Sequence, residues 1–236
     1  MEIVPWIHQI DGINGNCYVL VKDGLILIDT GLPGGGQKIL RYVQDILHRN
    51  PAEVRTIILT HYHLDHTGNV NTLKGVSPAK VAIHEADSPF VSGQAPAPVP
   101  KGWKGAVTRG IGAFISSGPF QPDILLKDRD TIEGLTCIHV PGHTPGSICL
   151  LDPVSGVLFA GDTLRYDGRK IEGPPARFTP DMDQARRSIQ KIATFTFDIL
   201  LGGHGVPLRP DASVRVREFA NLLTSTDLGE KAGKEA

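Results

Sequence analysis

Apolar residues recur in this chain in two rhythms, and their alternation gives the order of elements. Short apolar runs at 25–28, 54–59, 157–160 and 197–201 are too brief for buried helices, so they predict strands covered on both faces. Runs at 2–9 and 17–21, joined through Asp11-Gly12 and Asn14-Gly15, predict two more strands around a turn. Further strands follow at 80–83, 124–126, 131–132, 135–140 and 147–151, the last turning into 157–160 at Asp152-Pro153 and Ser155-Gly156. Helical spacing appears between them. Ile39, Leu40, Val43, Ile46 and Leu47 share one face of a helix over 37–48, and Ala185, Ile189 and Ile192 share one over 181–192, with Thr179 or Asp181 at its cap. A helix is expected over 68–73, a helical turn over 84–87 and a closing helix over 214–223. The small, charged stretch 227–236 is expected to fray.

Strand groups interleaved with helices imply an α/β protein of two sheets, each covered outside by helices. A length of 236 residues without a repeated module is read as one domain, 1–236. Residues 92–105 are rich in proline and glycine, and 106–115 are only loosely helical. Long irregular segments in compact domains are commonly lids or binding loops, so 92–120 is read as a substrate-facing insertion, with Trp103, Phe114 and Phe120 anchoring it. The segment 24–31 is echoed by 156–163, which hints at two similar halves.

Composition narrows the partners. A formal net charge of −1 leaves no global field to gather polyanions, so nucleic acid is not an expected partner. No apolar run has the length of a membrane span, and the N-terminus lacks the basic start and apolar core of a secretory signal. Cys17, Cys137 and Cys149 are odd in number and lie among strand-like residues. They read as reduced core thiols, hence a cytoplasmic protein. A small-molecule substrate is expected, and a homodimer is left open.

The chemistry concentrates after the run 54–59. His61, His63, Asp65 and His66 fall within six residues at a strand end. Neutral imidazole and carboxylate are the ligands preferred by zinc and its first-row neighbours, and desolvated imidazoles without a partner would only cost free energy. Further candidates follow other apolar runs: His143, Asp162 and His204, each beside glycines that let the backbone bend tightly. Asp29 also ends an apolar strand, where it is expected to orient a metal-bound histidine by accepting its second N–H. Arg165, Tyr166 and Arg169 follow Asp162, in position to contact an anionic or carbonyl-bearing substrate. His8 and His48 read as surface or packing residues. His84 and His139 abut the same half without a place in the ligand set.

The ordered set His61-x-His63-x-Asp65-His66, His143, Asp162 and His204 resembles the metallo-β-lactamase superfamily, and the resemblance spans Asn16 to His204. It implies an αββα sandwich of two mixed sheets flanked by helices, with a metal site at one edge. It also implies that His61, His63 and His143 hold one divalent ion, that Asp65, His66 and His204 hold another, and that Asp162 bridges them. Zinc is the expected metal, with iron or manganese as alternatives. The implied reaction is hydrolysis by a hydroxide shared between ions about 3.5–4 Å apart. Asp65 is the candidate to move a proton.

The bridging aspartate makes the chain resemble thioesterases of the hydroxyacylglutathione type and lactonases, which cleave thioesters, esters or lactones, more than the β-lactamases themselves. Lactonases of this kind tend to carry tyrosine three residues past the bridging aspartate, where this chain has Arg165 and then Tyr166. Other readings stay open at this level: hydrolysis of a β-lactam or phosphodiester, or an oxidoreductase similar to the persulfide dioxygenases, with one iron held at His61, His143 and Asp162.

Overall fold

The computed structural model describes residues 1–96 and 118–232, with side chains described as far as 224. Two sheets face each other. The first has seven strands in chain order: β1 (Glu2–Val4), β2 (Ile7–Ile10), β3 (Cys17–Val21), β4 (Leu25–Ile28), β5 (Val54–Ile58), β6 (Lys80–His84) and β7 (Ile124–Leu126). Its first four strands are antiparallel, and β4 to β7 run parallel. The second has β8 (Thr131–Ile132), β9 (Leu135–His139), β10 (Ile148–Asp152), β11 (Val157–Gly161) and β14 (Ile199–Gly202), in the order β14-β11-β10-β9-β8. A separate hairpin, β12 (Arg165–Tyr166) with β13 (Ile171–Glu172), follows Asp162.

The continuous apolar runs have a simple cause. Successive strand side chains point to opposite faces, and both faces here are covered. Ile26 and Ile28 of β4 enter the layer between the sheets with Leu150, Phe159 and Leu201, while Leu25 and Leu27 pack outward against Ile39, Val43 and Leu73 of the first helical layer. On the far side, Leu158 and Leu200 meet Ile189, Ile192 and Val216. The expected αββα sandwich is the observed one.

Several boundaries differ from the apolar pattern. The run 2–9 is not one strand. It folds at Pro5-Trp6 into the β1–β2 hairpin, with Trp6 at φ 69°, because proline ends the ladder and the turn needs a left-handed residue. The helix expected over 37–48 is α-helical only over Gly36–Arg41 and continues as a π-helical turn, Tyr42–Ile46. The stretch expected as one helix over 68–73 is Val70–Lys74, preceded by a short helix Leu64–Thr67 inside the histidine cluster. The last helix, Ala212–Ala232, passes Leu223 and enters the stretch expected to fray.

Phe120 is buried and its N–H bonds Val91 O, so the far end of the 92–120 segment is anchored to the body; Trp103, Phe114 and the 106–115 helical pattern lie outside the described residues. The echo between 24–31 and 156–163 has a structural counterpart. Both β4 and β11 sit between an antiparallel neighbour and a parallel one, and a left-handed residue marks the end of each, Asp29 at φ 58° just after β4 and Gly161 at φ 49° closing β11. The three cysteines are free and buried, and burial pushes the thiols of Cys137 and Cys149 up to about 12. No described helix is long and apolar enough to cross a membrane.

Candidate metal centre

Parallel and antiparallel pairing brings the C-terminal ends of β4, β5, β9, β11 and β14 to one edge of the sandwich. Each is followed by a candidate residue: Asp29, the His61–His66 segment, His143, Asp162 and His204. The core itself holds one of these ends. Tyr18 packs edge-on against Phe159 at 5.4 Å, and its hydroxyl donates to Gly202 O at 2.7 Å, just before His204. Asn16 donates to Gly202 O and Gly205 O, closing the same loop from the first sheet.

The side chains form three overlapping groups, His61-His63-His143, His61-His66-Asp162 and Asp65-His66-His204. Within each, one ligand atom per residue lies within 4.8 Å of the others. His61 Nε2 and His63 Nδ1 are 3.1 Å apart. Asp162 stands between the groups, with Oδ2 3.3 Å from His143 Nε2 and Oδ1 3.4 Å from His66 Nε2 and 3.6 Å from His204 Nε2. Asp65 Oδ2 lies 3.1 Å from His204 Nε2.

In His61, His66 and His143 the inner nitrogen points at this cluster because the outer one is already engaged. Asp29 is the hub: Oδ1 accepts from Thr60 N–H at 2.8 Å, and Oδ2 accepts from the Thr60 hydroxyl and from His66 Nδ1, both at 2.7 Å. With its hydroxyl hydrogen given to Asp29, Thr60 Oγ1 is left as acceptor for His61 Nδ1 at 3.1 Å. Thr179 likewise donates to Pro175 O and accepts from His143 Nδ1 at 3.1 Å. Each bond holds a proton on Nδ1, so Nε2 is the atom left to face a cation. Thr60 and Thr179 are not legible as site residues in the sequence, because their partners lie 31 and 36 residues away.

Three of the atoms facing the cluster, His66 Nε2, His143 Nε2 and Asp162 Oδ1, are buried without a hydrogen-bond partner. Buried polar groups are rarely left so. Nitrogen and carboxylate donors converging in this way fit a first-row divalent cation. The backbone is shaped to match, since a Cβ at Gly203 would collide with Asp162 Oδ1 and stand 2.6 Å from His66 Cε1.

Electrostatics sorts the ligands. Burial, reinforced by His66 and His63, pushes His61 well below the ordinary imidazole value, and burial with His143 and His66 lowers His63 to about 3. Burial also opposes charge on His66, yet the carboxylates of Asp29 and Asp162 hold it well above that value. For Asp162 and Asp65 burial favours the neutral acid. Nearby His66 nevertheless holds Asp162 well below the carboxylate range, and the hydrogen bond between His204 and Asp65, helped by the charge of His66, brings Asp65 to about 2.

Arg165 and Tyr166 sit on the hairpin after Asp162 with their polar groups engaged. Arg165 pairs with Glu172, while the Tyr166 hydroxyl donates to Gly168 O and its ring lies under Arg215 at 4.9 Å. The Tyr166 carbonyl accepts from Val206 N–H, so the hairpin braces the His204 loop. His84 and His139 stack at 3.9 Å outside the three ligand groups, and His139 Nε2 bonds Pro145 O.

A two-sheet α/β sandwich that gathers histidines and aspartates at one edge is the construction of a metallo-hydrolase. The chain belongs to the metallo-beta-lactamase superfamily, whose family model matches residues 10–204. It is 30% identical over 224 residues to the probable metallo-hydrolase YflN of Bacillus subtilis, covering 85% of this chain and 83% of that one. It is 29% identical over 208 residues to the acyl-coenzyme A thioesterase MBLAC2 of Homo sapiens, covering 76% and 68%. A hydroxyacylglutathione hydrolase of Idiomarina loihiensis is 30% identical over 196 residues, covering 77% of this chain and 60% of the relative. A metallo-beta-lactamase family protein of Thermus thermophilus superimposes with a TM-score of 0.73 at 22% identity, over 95% of this chain and 81% of that one. This last likeness is one of fold.

Proposed function

We propose that the protein is a dinuclear metal-dependent hydrolase that cleaves the thioester, ester or lactone bond of a small molecule. The observation that carries this reading is the placement of Asp162, whose two oxygens face different histidines, Oδ2 toward His143 and Oδ1 toward His66 and His204. In the proposed assignment His61, His63 and His143 hold one ion, Asp65, His66 and His204 hold the other, and Asp162 lies between. Two divalent ions, zinc in the first place and iron or manganese otherwise, would supply a water of lowered pKa and polarise the attacked carbonyl.

The chain's own residues do the rest. Asp29, Thr60 and Thr179 hold the imidazole rings in orientation. Asp65 is 32% exposed at the site's open side, which puts it in position to pass a proton, while its lowered carboxyl makes it a weak base in the metal-free protein. The similarity to an acyl-coenzyme A thioesterase and to a hydroxyacylglutathione hydrolase favours a thioester within the proposed class.

The test is hydrolysis by the zinc-loaded protein of a panel holding an acyl thioester, an acyl lactone, a β-lactam and a phosphodiester. Turnover of the thioester or lactone is expected to exceed that of the other two by about 10²-fold or more. Preferred cleavage of the β-lactam or the phosphodiester would overturn the substrate class.

The ligand charges give a further expectation. In the metal-free protein the carboxylates of Asp29 and Asp162 favour the charged form of His66, whereas burial favours the neutral forms of His61 and His63. The hydrogen bond with Asp65 raises His204 as well, so a cation must displace protons from the Asp65-His66-His204 group, and affinity there should rise with pH, by about tenfold per unit for each imidazole still charged, until pH passes both raised values. Affinity at the three-histidine group should change little between about pH 7 and 9, since its two lowered imidazoles have no proton left to lose there. Chelator-competition titrations across that range check this, and a steeper pH dependence at the three-histidine group would contradict it.

A further inference from the structure

Asp87 is absent from every ligand group, yet it ties together the two loops that carry His61, His63 and His143. It lies just after β6 and is fully buried. Its Oδ2 accepts from the Tyr62 N–H at 3.0 Å, the amide between His61 and His63, and from the Thr144 hydroxyl at 2.7 Å, next to His143. Its Oδ1 accepts from the Gly146 N–H at 2.6 Å. Ser147 completes the loop, its hydroxyl accepting from Thr144 N–H at 3.0 Å and lying 2.8 Å from Thr144 Oγ1. Gly146 is matched to this contact, since a Cβ there would stand 2.7 Å from the Asp87 carboxyl and amide.

A carboxylate in such a place is a poor choice for stability alone. Burial pushes its carboxyl up to about 6 against the pull of its three donors, and an apolar side chain of similar volume would avoid desolvating a charge. Its effect is one of position. The end of β5 and the loop after β9 belong to different sheets, and the backbone joins them at Ile148 N–H to Thr60 O, 2.9 Å. Asp87 adds a side-chain link farther out, where one rigid carboxylate receives donors from both loops. The hydrogen bonds of its carboxylate all go to these loops, and Asp65, His66, Asp162 and His204 are not among its partners.

We infer that Asp87 is a positioning residue for the three-histidine group alone, fixing His61 and His63 relative to His143 by clamping Tyr62, Thr144 and Gly146. The inference rests on the metal assignment above.

The test is cobalt(II) and zinc binding to the whole chain and to Asp87→Asn, whose amide keeps the shape but exchanges one acceptor oxygen for a donor. Chelator competition gives the affinities, the visible cobalt bands report the ion held by three imidazoles, and thermal melting of the metal-free proteins reports the fold. The variant is expected to bind one ion about 10–100-fold more weakly, with altered bands for the three-imidazole ion. The second ion should bind as in the parent. Two unchanged affinities would overturn the inference, as would equal weakening of both ions together with a collapsed melting temperature, which would mark a purely structural role. If Asp87→Asn does not fold, Thr144→Val removes one donor without touching the carboxylate. It should weaken the same ion in the same direction, and unchanged binding in that variant would overturn the inference. Failure of the parent protein to take up either metal would instead remove the dinuclear reading itself.

Discussion

Asp162→Ala is expected to lower kcat by about 10³-fold or more and to weaken binding of the second ion. Removing a single preorganised electrostatic group typically costs about 10²–10³ in kcat. Asp162 should exceed that, because both ligand groups share it. One oxygen faces His143 and the other faces His66 and His204, so losing it strips a donor from each side. It would also leave His66 with Asp29 on the Nδ1 side at 2.7 Å and only the more distant Asp65, at 3.8 Å, on the Nε2 side. Metal content and kcat of the variant, measured together on a thioester, check the claim. Unchanged turnover would contradict a shared ligand at this position.

Asp29→Asn is expected to weaken metal binding about 10–100-fold and to lower stability by about 1–3 kcal/mol. The substitution is well suited to the question. Asp29 adopts φ 58°, and asparagine tolerates the left-handed region as aspartate does, so the backbone has no new strain to relieve. What changes is the number of acceptors. Three buried donors, the Thr60 amide, the Thr60 hydroxyl and His66 Nδ1, converge on two carboxylate oxygens, and an amide offers one oxygen. If the amide nitrogen falls opposite Thr60 Oγ1 and His66 Nδ1, both the Thr60–His61 relay and the His66 tautomer lose their anchor. Isothermal titration with zinc and a melting curve of the metal-free protein give the two quantities. Full metal affinity with full activity would show that the hydrogen bonds do not orient the rings.

The sequence reveals the metal cluster more readily than its supports, for a physical reason. A ligand must reach one point, so it sits at the end of a buried strand and beside a flexible residue, and both signals are local. His143 after the 135–140 run and His204 in Gly202-Gly203-His204-Gly205 carry them openly. Asp29 shows itself in the same way, by ending an apolar run. The groups that hold the rings carry no local signal. Thr60 is turned by Asp29 from 31 residues away, Thr179 acts on His143 from 36, and Asp87 acts on atoms 25 to 59 residues away, through contacts set by which strand ends meet at the edge. The Arg165–Glu172 pair is a similar case. A loop arginine after Asp162 reads as free for substrate, and only the β12–β13 pairing gives it an internal partner. At the level of elements, the apolar runs place most strands, while the hairpin at Pro5-Trp6 escapes because β1 and β2 are both apolar and only two residues separate them.

The central claim is that Asp162 joins two ion-holding groups, and its most direct test is the metal content per subunit by elemental analysis, on protein expressed with zinc, iron and manganese all supplied. Two ions per subunit, chiefly zinc, falling toward one in Asp162→Ala, is the expected result. One iron per subunit, with no second ion taken up on adding zinc, would contradict it and point to oxygen chemistry in place of hydrolysis.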